Sequence, residues 1–446
     1  MPLRWSARKI GQLLAHPGTM VVVAFLLRYG IFYYFRSKGP FPANDILPHM
    51  GYETGRIARS LAAGLGYSSP LVVESGPTAW MTPLFPLLLA GVFKVFGIMS
   101  FKSFLVITAL DCAFSALTAW VIFAIARRAF GVSCGVTAGW IWTLLPSAVF
   151  YPVAWVWDTA LSALIFALIV LASMYLLESE RASAWAGVGA MWGIGAMINA
   201  SIVSTLPFIL GWNAHELRRR SKDWLKLTMV ALVLFAVVIA PWFLRNYMVF
   251  HKLILFRSNF GLELWLGSNP SNPGIWSWWL HPNDDDTERK LYVDMGEIPY
   301  MAMKQHEAIA WIREHPAMFV EQTFRRFVDN WTGFDEPVTS LANRPWWVIV
   351  GMGLEVLFPL MALPGVLMAY RSRNPCAFPF GTAIFFFPVV YYITHTSLRY
   401  RHPIDPVLCV LAGYTAVSAC SWIAARISGR PAADAQQNRQ WAPAGK

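Results

Sequence analysis

Charge is scarce in this sequence. Asp, Glu, Lys and Arg make up 14% of its 446 residues, against 56% hydrophobic residues, where soluble domains carry about a quarter charged residues. A chain of this length cannot hide so much apolar surface in one or two water-soluble cores, so lipid is the solvent the composition calls for. Cysteine chemistry is also missing. Cys112, Cys134, Cys376, Cys409 and Cys420 all fall in apolar stretches without CxxC spacing, which supports neither a disulfide framework nor a zinc site. There is no GxxxxGK followed by Ser or Thr, and no GxGxxG between a strand and a helix. There is no inverted internal repeat of the transporter kind. The net charge of +11 points away from nucleic acid, because the basic residues sit between apolar runs, where they act as topology signals.

What the sequence has is apolar runs. A span needs about 20 mostly apolar residues, and runs at 18–36, 102–125, 132–150, 155–177, 184–198, 200–213, 226–243, 346–369, 376–394 and 404–424 predict ten of them. The first follows Arg4, Arg8 and Lys9 and lacks an obvious small-residue cleavage site, so it reads as an uncleaved transmembrane helix. The stretch 81–97 is ambiguous. If it crossed, Arg127 and Arg128 would lie outside and every later loop would flip. Kept at the interface, it leaves those arginines, Arg181, the 218–222 cluster, Arg371, Arg373, Arg426 and Arg430 inside, as the positive-inside rule favours.

The predicted organisation is a cytoplasmic N-terminus and first span (1–36), a first outer loop with interfacial helices (37–101), a transmembrane bundle (102–243), a long outer loop (244–345), C-terminal spans (346–425) and a disordered cytoplasmic tail (426–446). The class is an all-α polytopic membrane protein. Within the long loop, 287–328 reads as amphipathic helices packing through Tyr300, Ala308, Trp311, Ile312, Phe319 and Phe324 into a small outer cap.

Candidate chemistry lies on the outer side. The first loop carries Asp45, His49, Glu53 and Arg56, with a helical pattern from Gly51 to Ala63. Glu53 and Arg56 share a face, either as a surface ion pair or with Glu53 as a carboxylate that activates an acceptor. Asp158 opens a span, where it serves either as a helix N-terminal charge or as a functional acid at the membrane boundary. Asp111 lies deeper in its span with no evident partner. Arg245, Arg257, Arg399 and Arg401, with His395, form a basic set on the side where the positive-inside rule expects few; a phosphate partner or anionic headgroups would account for it. Three acids, Asp284, Asp285 and Asp286, form either a solvated turn or a divalent-cation ligand set.

The order IA-x-x-L-x-x-G-x-G-Y, then PTAW-x-x-P-x-x-PLLLAGVFK-x-FG, resembles the first outer loop of bacterial GT-C glycosyltransferases. The closest group is glycosyltransferase family 39, which includes protein mannosyltransferases and the aminoarabinose transferase of lipid A. The similarity continues through WVWDTALSAL, PWFLRNYMVF, FRSNFGLELWLGSNP and LRYRHPIDP, as far as residue 425. The resemblance implies a GT-C fold and a sugar donor carried on a polyprenyl phosphate. It also implies an acidic base in the first outer loop and inverting transfer to a lipid, glycan or protein acceptor on the periplasmic side of a bacterial inner membrane. In that family an Asp-Glu pair followed by Tyr is frequent, whereas this chain reads His49-Met50-Gly51-Tyr52-Glu53. Glu53 is the first candidate for the base and Asp45 the second, with Asp158 facing the cavity. Arg56, Arg245, Arg257, His395, Arg399 and Arg401 are the candidate phosphate and substrate ligands. Metal use is left open, with a divalent cation as one option. A polysaccharide polymerase or flippase, or a secondary transporter, are the rival readings. A transporter would place its charges at the bilayer midplane.

Overall fold

The computed structural model describes residues 7–38, 50–272, 276–333 and 345–428. Asp45 and His49 lie outside them. All named elements are helices, and the described residues contain one isolated β-bridge, Ser68 to Pro77. In chain order, α1 (Ala7–Ala15) and α2 (Pro17–Lys38) precede the first long loop, which holds α3 (Tyr52–Ala62) and α4 (Leu84–Phe96). The bundle follows: α5 (Phe101–Phe130), α6 (Val132–Leu144), α7 (Pro146–Ala154), α8 (Thr159–Leu176), α9 (Ala182–Ile198), α10 (Leu206–Arg218) and α11 (Trp224–Phe250). The long loop contains α12 (Phe260–Gly267), α13 (Asp286–Met295), α14 (Glu297–Glu314) and α15 (Pro316–Thr332). The chain closes with α16 (Trp346–Arg371), α17 (Ala377–Phe386), α18 (Val389–Ile393), α19 (Leu398–Arg401) and α20 (Asp405–Ile427).

Among the described residues, six helices are long and apolar enough to cross a membrane: α2, α5, α8, α11, α16 and the run Leu398–Ile427. The pair α6–α7, bent by 45°, makes a seventh if counted as one span. The remaining predicted spans fall in shorter helices. The predicted spans 184–198 and 200–213 are separated at Asn199, whose extended backbone ends α9 and whose side chain accepts from Ser201 N to start a 3-10 turn before α10. Helix α4 has 13 residues, a length of about 20 Å against a hydrocarbon core of about 30 Å. Helices α5 and α11 extend past their predicted ends, so Arg127 and Arg128 close α5 while Pro241 and Arg245 lie inside α11.

The break between α6 and α7 explains the charge in the first span. Pro146 has no N–H to continue the helix, so the last carbonyls of α6 lose their intrahelical donors. Arg28, fully buried, supplies them. It donates to the Trp142, Thr143 and Ala148 carbonyls at 3.1, 3.2 and 2.8 Å, and to Ser115 Oγ at 2.9 Å. A guanidinium inside the bilayer is costly alone, but here it completes the helix terminus it faces. The main core gathers around it from α5, α6, α8 and α20, with Trp142, Trp185 and Trp192 fully buried.

Candidate functional site

The ends of these helices meet in a cleft on one side of the bundle, and glycine decides how closely. Gly51 precedes α3 with φ 90°, and a Cβ there would lie 2.5 Å from the Val156 carbonyl oxygen. A side chain would therefore separate α3 from the strip leading into α8. Held this close, Tyr52 stacks on Trp155 and Trp157 at 5.7 and 6.3 Å between centroids. The next residue, Glu53, sits in the first turn of α3 and faces the long outer loop.

That loop answers with His281 and Asn283. Asn283 Nδ2 donates to Glu53 Oε1 at 2.5 Å, and Arg56 Nη1 donates to Asn283 Oδ1 at 2.8 Å. The amide thus bridges two side chains expected to meet directly. His281 Nε2 stands 3.8 Å from Glu53 Oε1, and burial lowers its pKa below the usual histidine value, which keeps it neutral at pH 7. Of the neighbouring acids, Asp285 caps α13 by accepting from Glu288 N, and Asp286 pairs with Arg289. Among the described residues, no three His, Cys, Asp or Glu side chains converge as a metal set.

The opposite wall comes from the head of α8 and from α19. Asp158 accepts from Ser162 Oγ at 3.1 Å. The Arg399 guanidinium lies 3.7 Å above the Trp157 ring, a cation–π distance, and donates to Tyr400 Oη at 2.9 Å. Tyr400 Oη is also 2.9 Å from His395 Nε2. Arg399 is within electrostatic range of both Glu53 and Asp158.

A second carboxylate, Glu263 on α12, completes the cleft. Its Oε1 accepts from Asn259 Nδ2 at 2.5 Å and lies 3.8 Å from Arg257 Nη2, and its Oε2 lies 3.4 Å from His395 Nδ1. Desolvation raises its pKa to about 7, with Arg257 opposing the rise. Burial between Trp276 and Tyr400, with Arg399 nearby, pushes His395 down to about 3. Backbone proximity places α12: a Cβ at Gly267 would overlap the Thr394 carbonyl oxygen. Sequence reasoning passed over Glu263, His281 and Asn283. The available signal for Glu263 was a lone acid in the apolar run Phe260–Gly267.

The PTAW segment frames this cleft. Buried Glu297 accepts from Ala79 N, Ser258 Oγ and Tyr292 Oη at 2.7, 2.6 and 2.8 Å, and also from Thr78 Oγ1. Arg257 Nε donates to the Trp80 carbonyl at 2.8 Å, which aims its other nitrogens at Glu263. Two of the predicted phosphate ligands have other partners. Arg245 donates to the Thr78 and Tyr67 carbonyls at 2.6 and 2.8 Å, so it braces the frame. Arg401 is fully buried and paired with Asp405 and Glu355 at 2.9 and 3.1 Å, because α19 turns it inward beneath the cleft. The structure therefore brings Glu53, Arg56, Asp158, Arg257, His395 and Arg399 to one cleft and leaves Arg245 and Arg401 outside its open face. Asp111 is buried in α5 beside α8, with Oδ1 unbonded.

The bundle, with its carboxylate-and-arginine cleft at one end, is similar in fold to solved oligosaccharyltransferase structures. The archaeal oligosaccharyltransferase AglB from Archaeoglobus fulgidus, in complex with an inhibitory peptide and a dolichol-phosphate, aligns at a TM-score of 0.54 and 13% identity, covering 99% of this chain and 53% of that one. The Archaeoglobus fulgidus oligosaccharyltransferase in complex with Zn and sulfate aligns at 0.52 and 13% identity, over 91% of this chain and 49% of that one. ArnT from Cupriavidus metallidurans bound to undecaprenyl phosphate gives 0.47 and 15% identity, over 95% and 66%. This chain spans about half the length of the oligosaccharyltransferases. By sequence, the family model of the dolichyl-phosphate-mannose-protein mannosyltransferases matches residues 79–243. No curated protein matches the sequence. The chain thus shares the fold of these oligosaccharyltransferases, and over residues 79–243 its sequence is similar to the dolichyl-phosphate-mannose-protein mannosyltransferase family.

Proposed function

We propose that this protein transfers a glycosyl group from a polyprenyl-phosphate-linked donor to a hydroxyl-bearing acceptor at the outer, periplasmic face of a bacterial inner membrane. One observation carries the reading: Glu53 and Arg399 face the same cleft and neither is neutralised by contact. Glu53 has an amide and a neutral imidazole for neighbours. Arg399 has an aromatic floor and a phenol. A carboxylate free to take a proton and a guanidinium free to take a phosphate are the two ends of a glycosyl displacement.

The acceptor oxygen attacks the anomeric carbon as Glu53 removes its proton. The bond from that carbon to the phosphate oxygen breaks on the opposite side, and the electron pair stays on the phosphate. Arg399 and Arg257 stabilise that charge, and polyprenyl phosphate leaves. A single displacement inverts the anomeric configuration and needs no covalent sugar–enzyme intermediate. Asp158 orients the sugar from the head of α8. The donor class is supported by the family match and by the dolichol-phosphate held by AglB. No step is assigned to a metal. Apart from Asp111 within α5, the candidate groups Glu53, Asp158, Arg257 and Arg399 lie at helix ends or in loops, which favours this reading over transport.

The test is transfer of radiolabelled sugar from a panel of polyprenyl-phosphate donors in membranes, comparing the native protein with Glu53→Gln at matched expression. Transfer lost in the variant supports the assignment. Transfer equal in both removes Glu53 as the base, and substrate movement across vesicles without any transfer overturns the enzyme reading.

A further inference from the structure

Helix α15 is built inside out. Its buried residues are polar: Gln322, Arg326, Asp329 and Asn330. Four large apolar residues are exposed on it, Val320 at 66% and Phe324 at 65%, with Phe327 and Val328 beside them. At 100° per residue, Val320, Phe324, Phe327 and Val328 fall within an arc of roughly 100°. Glu321 and Arg325 lie along one edge of that arc, paired with each other at 2.7 Å. The sequence predicts Phe324 as a packing residue of the cap; in the structure it points outward.

The polar face is held by the protein. Arg326 donates to the Ile393 carbonyl at 3.1 Å and to the Gly267 carbonyl, and Thr396 Oγ1 donates to Asn330 Oδ1 at 3.1 Å. On the apolar face Phe327 meets the Tyr392 ring edge-on at 5.3 Å, while Val320 and Phe324 remain about two-thirds exposed. In water, each such side chain would forgo about 1.5–3 kcal/mol of burial. What covers the stripe is indicated by its surroundings. Helix α15 ends against the cleft-side ends of the spans: the Asn330 and Trp331 carbonyls accept from Arg401, and Trp331 Nε1 donates to Tyr392 Oη at 2.8 Å. The exposed apolar belt continues on α16 through Trp346, Ile349 and Val350. An apolar arc, a charged rim on one side and continuity with lipid-facing spans define a helix lying in the plane of the membrane interface.

We infer that α15 is an interfacial helix in the leaflet on the cleft side, its stripe covered by acyl chains and its rim of Glu321 and Arg325 at the headgroups. Its polar face then ties the bilayer to the loop that carries His395 and to the end of the helix that carries Glu263. The inference rests on the membrane architecture and is independent of the chemistry proposed for the cleft.

The test uses the full chain in phosphatidylcholine–phosphatidylglycerol vesicles. Nitroxide labels are placed one at a time through Val320→Cys, Phe324→Cys and Glu321→Cys, in a Cys420→Ser background because Cys420 is the exposed native cysteine among the described residues. Collision with oxygen and with a water-soluble nickel chelate gives label depth. Positions 320 and 324 are expected about 5–10 Å below the headgroups, with 321 accessible to the chelate. Equal chelate access at all three positions overturns the inference by placing the stripe in water. Exclusion of both reagents at 320 and 324 overturns it by showing protein there. These surface substitutions leave the buried polar face intact, so the labels report on the folded molecule.

Discussion

Arg399 and Arg401 are two residues apart on one four-residue helical turn, yet their surroundings differ in kind. Arg401 is fully buried. It is matched by Asp405 and Glu355 and by the Asn330 and Trp331 carbonyls, and His402 Nδ1 sits 3.0 Å from the same Asp405. Arg399 rests on Trp157 and bonds a phenol, with no carboxylate in contact. A cation whose donors are all occupied stabilises a fold; one with donors to spare binds something that is not protein. The contrast separates the arginines that hold the bundle together from those suited to a ligand, a distinction charge counting cannot make.

The comparison can be broken from either side. Arg401→Ala leaves two carboxylates buried without their cation and is expected to cost about 3–5 kcal/mol of stability, read as a loss of folded protein in thermal unfolding. Arg399→Ala should leave that unfolding curve unchanged. Equal destabilisation by the two would erase the distinction. On the functional side, Glu53→Gln keeps the bond to Asn283 and removes the base, so transfer should fall by about 10²–10⁴-fold with the fold intact. Arg399→Ala removes one charge-stabilising group and should lower the rate by roughly 10²–10³-fold. Retention of full activity would assign the phosphate to Arg257 or Arg56.

The smallest expected effect concerns pH. Glu263, raised to about 7, is mostly neutral below that pH and charged above it. Once ionised, it competes with the donor phosphate for Arg257, 3.8 Å away. The KM for donor should therefore rise as pH climbs through about 7, while kcat changes less. Glu263→Gln should flatten that rise, and an unchanged profile in the variant would detach Glu263 from donor binding.

Much of the architecture was readable beforehand because hydrophobic length is a local property. The runs at 18–36, 102–125 and 226–243 each became one helix, with ends displaced by a few residues. The break at Asn199, between the runs 184–198 and 200–213, was readable too, whereas the bend at Pro146 inside 132–150 was not, because a proline there acts through backbone chemistry that hydropathy ignores. At the cleft, Glu53 was legible as a candidate from its helix, and Arg399 from a positive charge where the predicted topology expects few. Glu263, His281 and Asn283 were not. Each looks ordinary in its own segment and gains meaning from a neighbour far along the chain, as Asn283 does from Glu53. Phe324 misled for the same reason: periodicity shows that a helix has an apolar face but not whether protein or lipid covers it.

By itself, then, the sequence determined the solvent of this protein and its helical class, because each depends on composition along short stretches. Only the tertiary structure decided which of those charges stay available. Whether an arginine is a strut or a ligand is set by how many of its donors are already met, and those partners come from helices the chain joins only on folding.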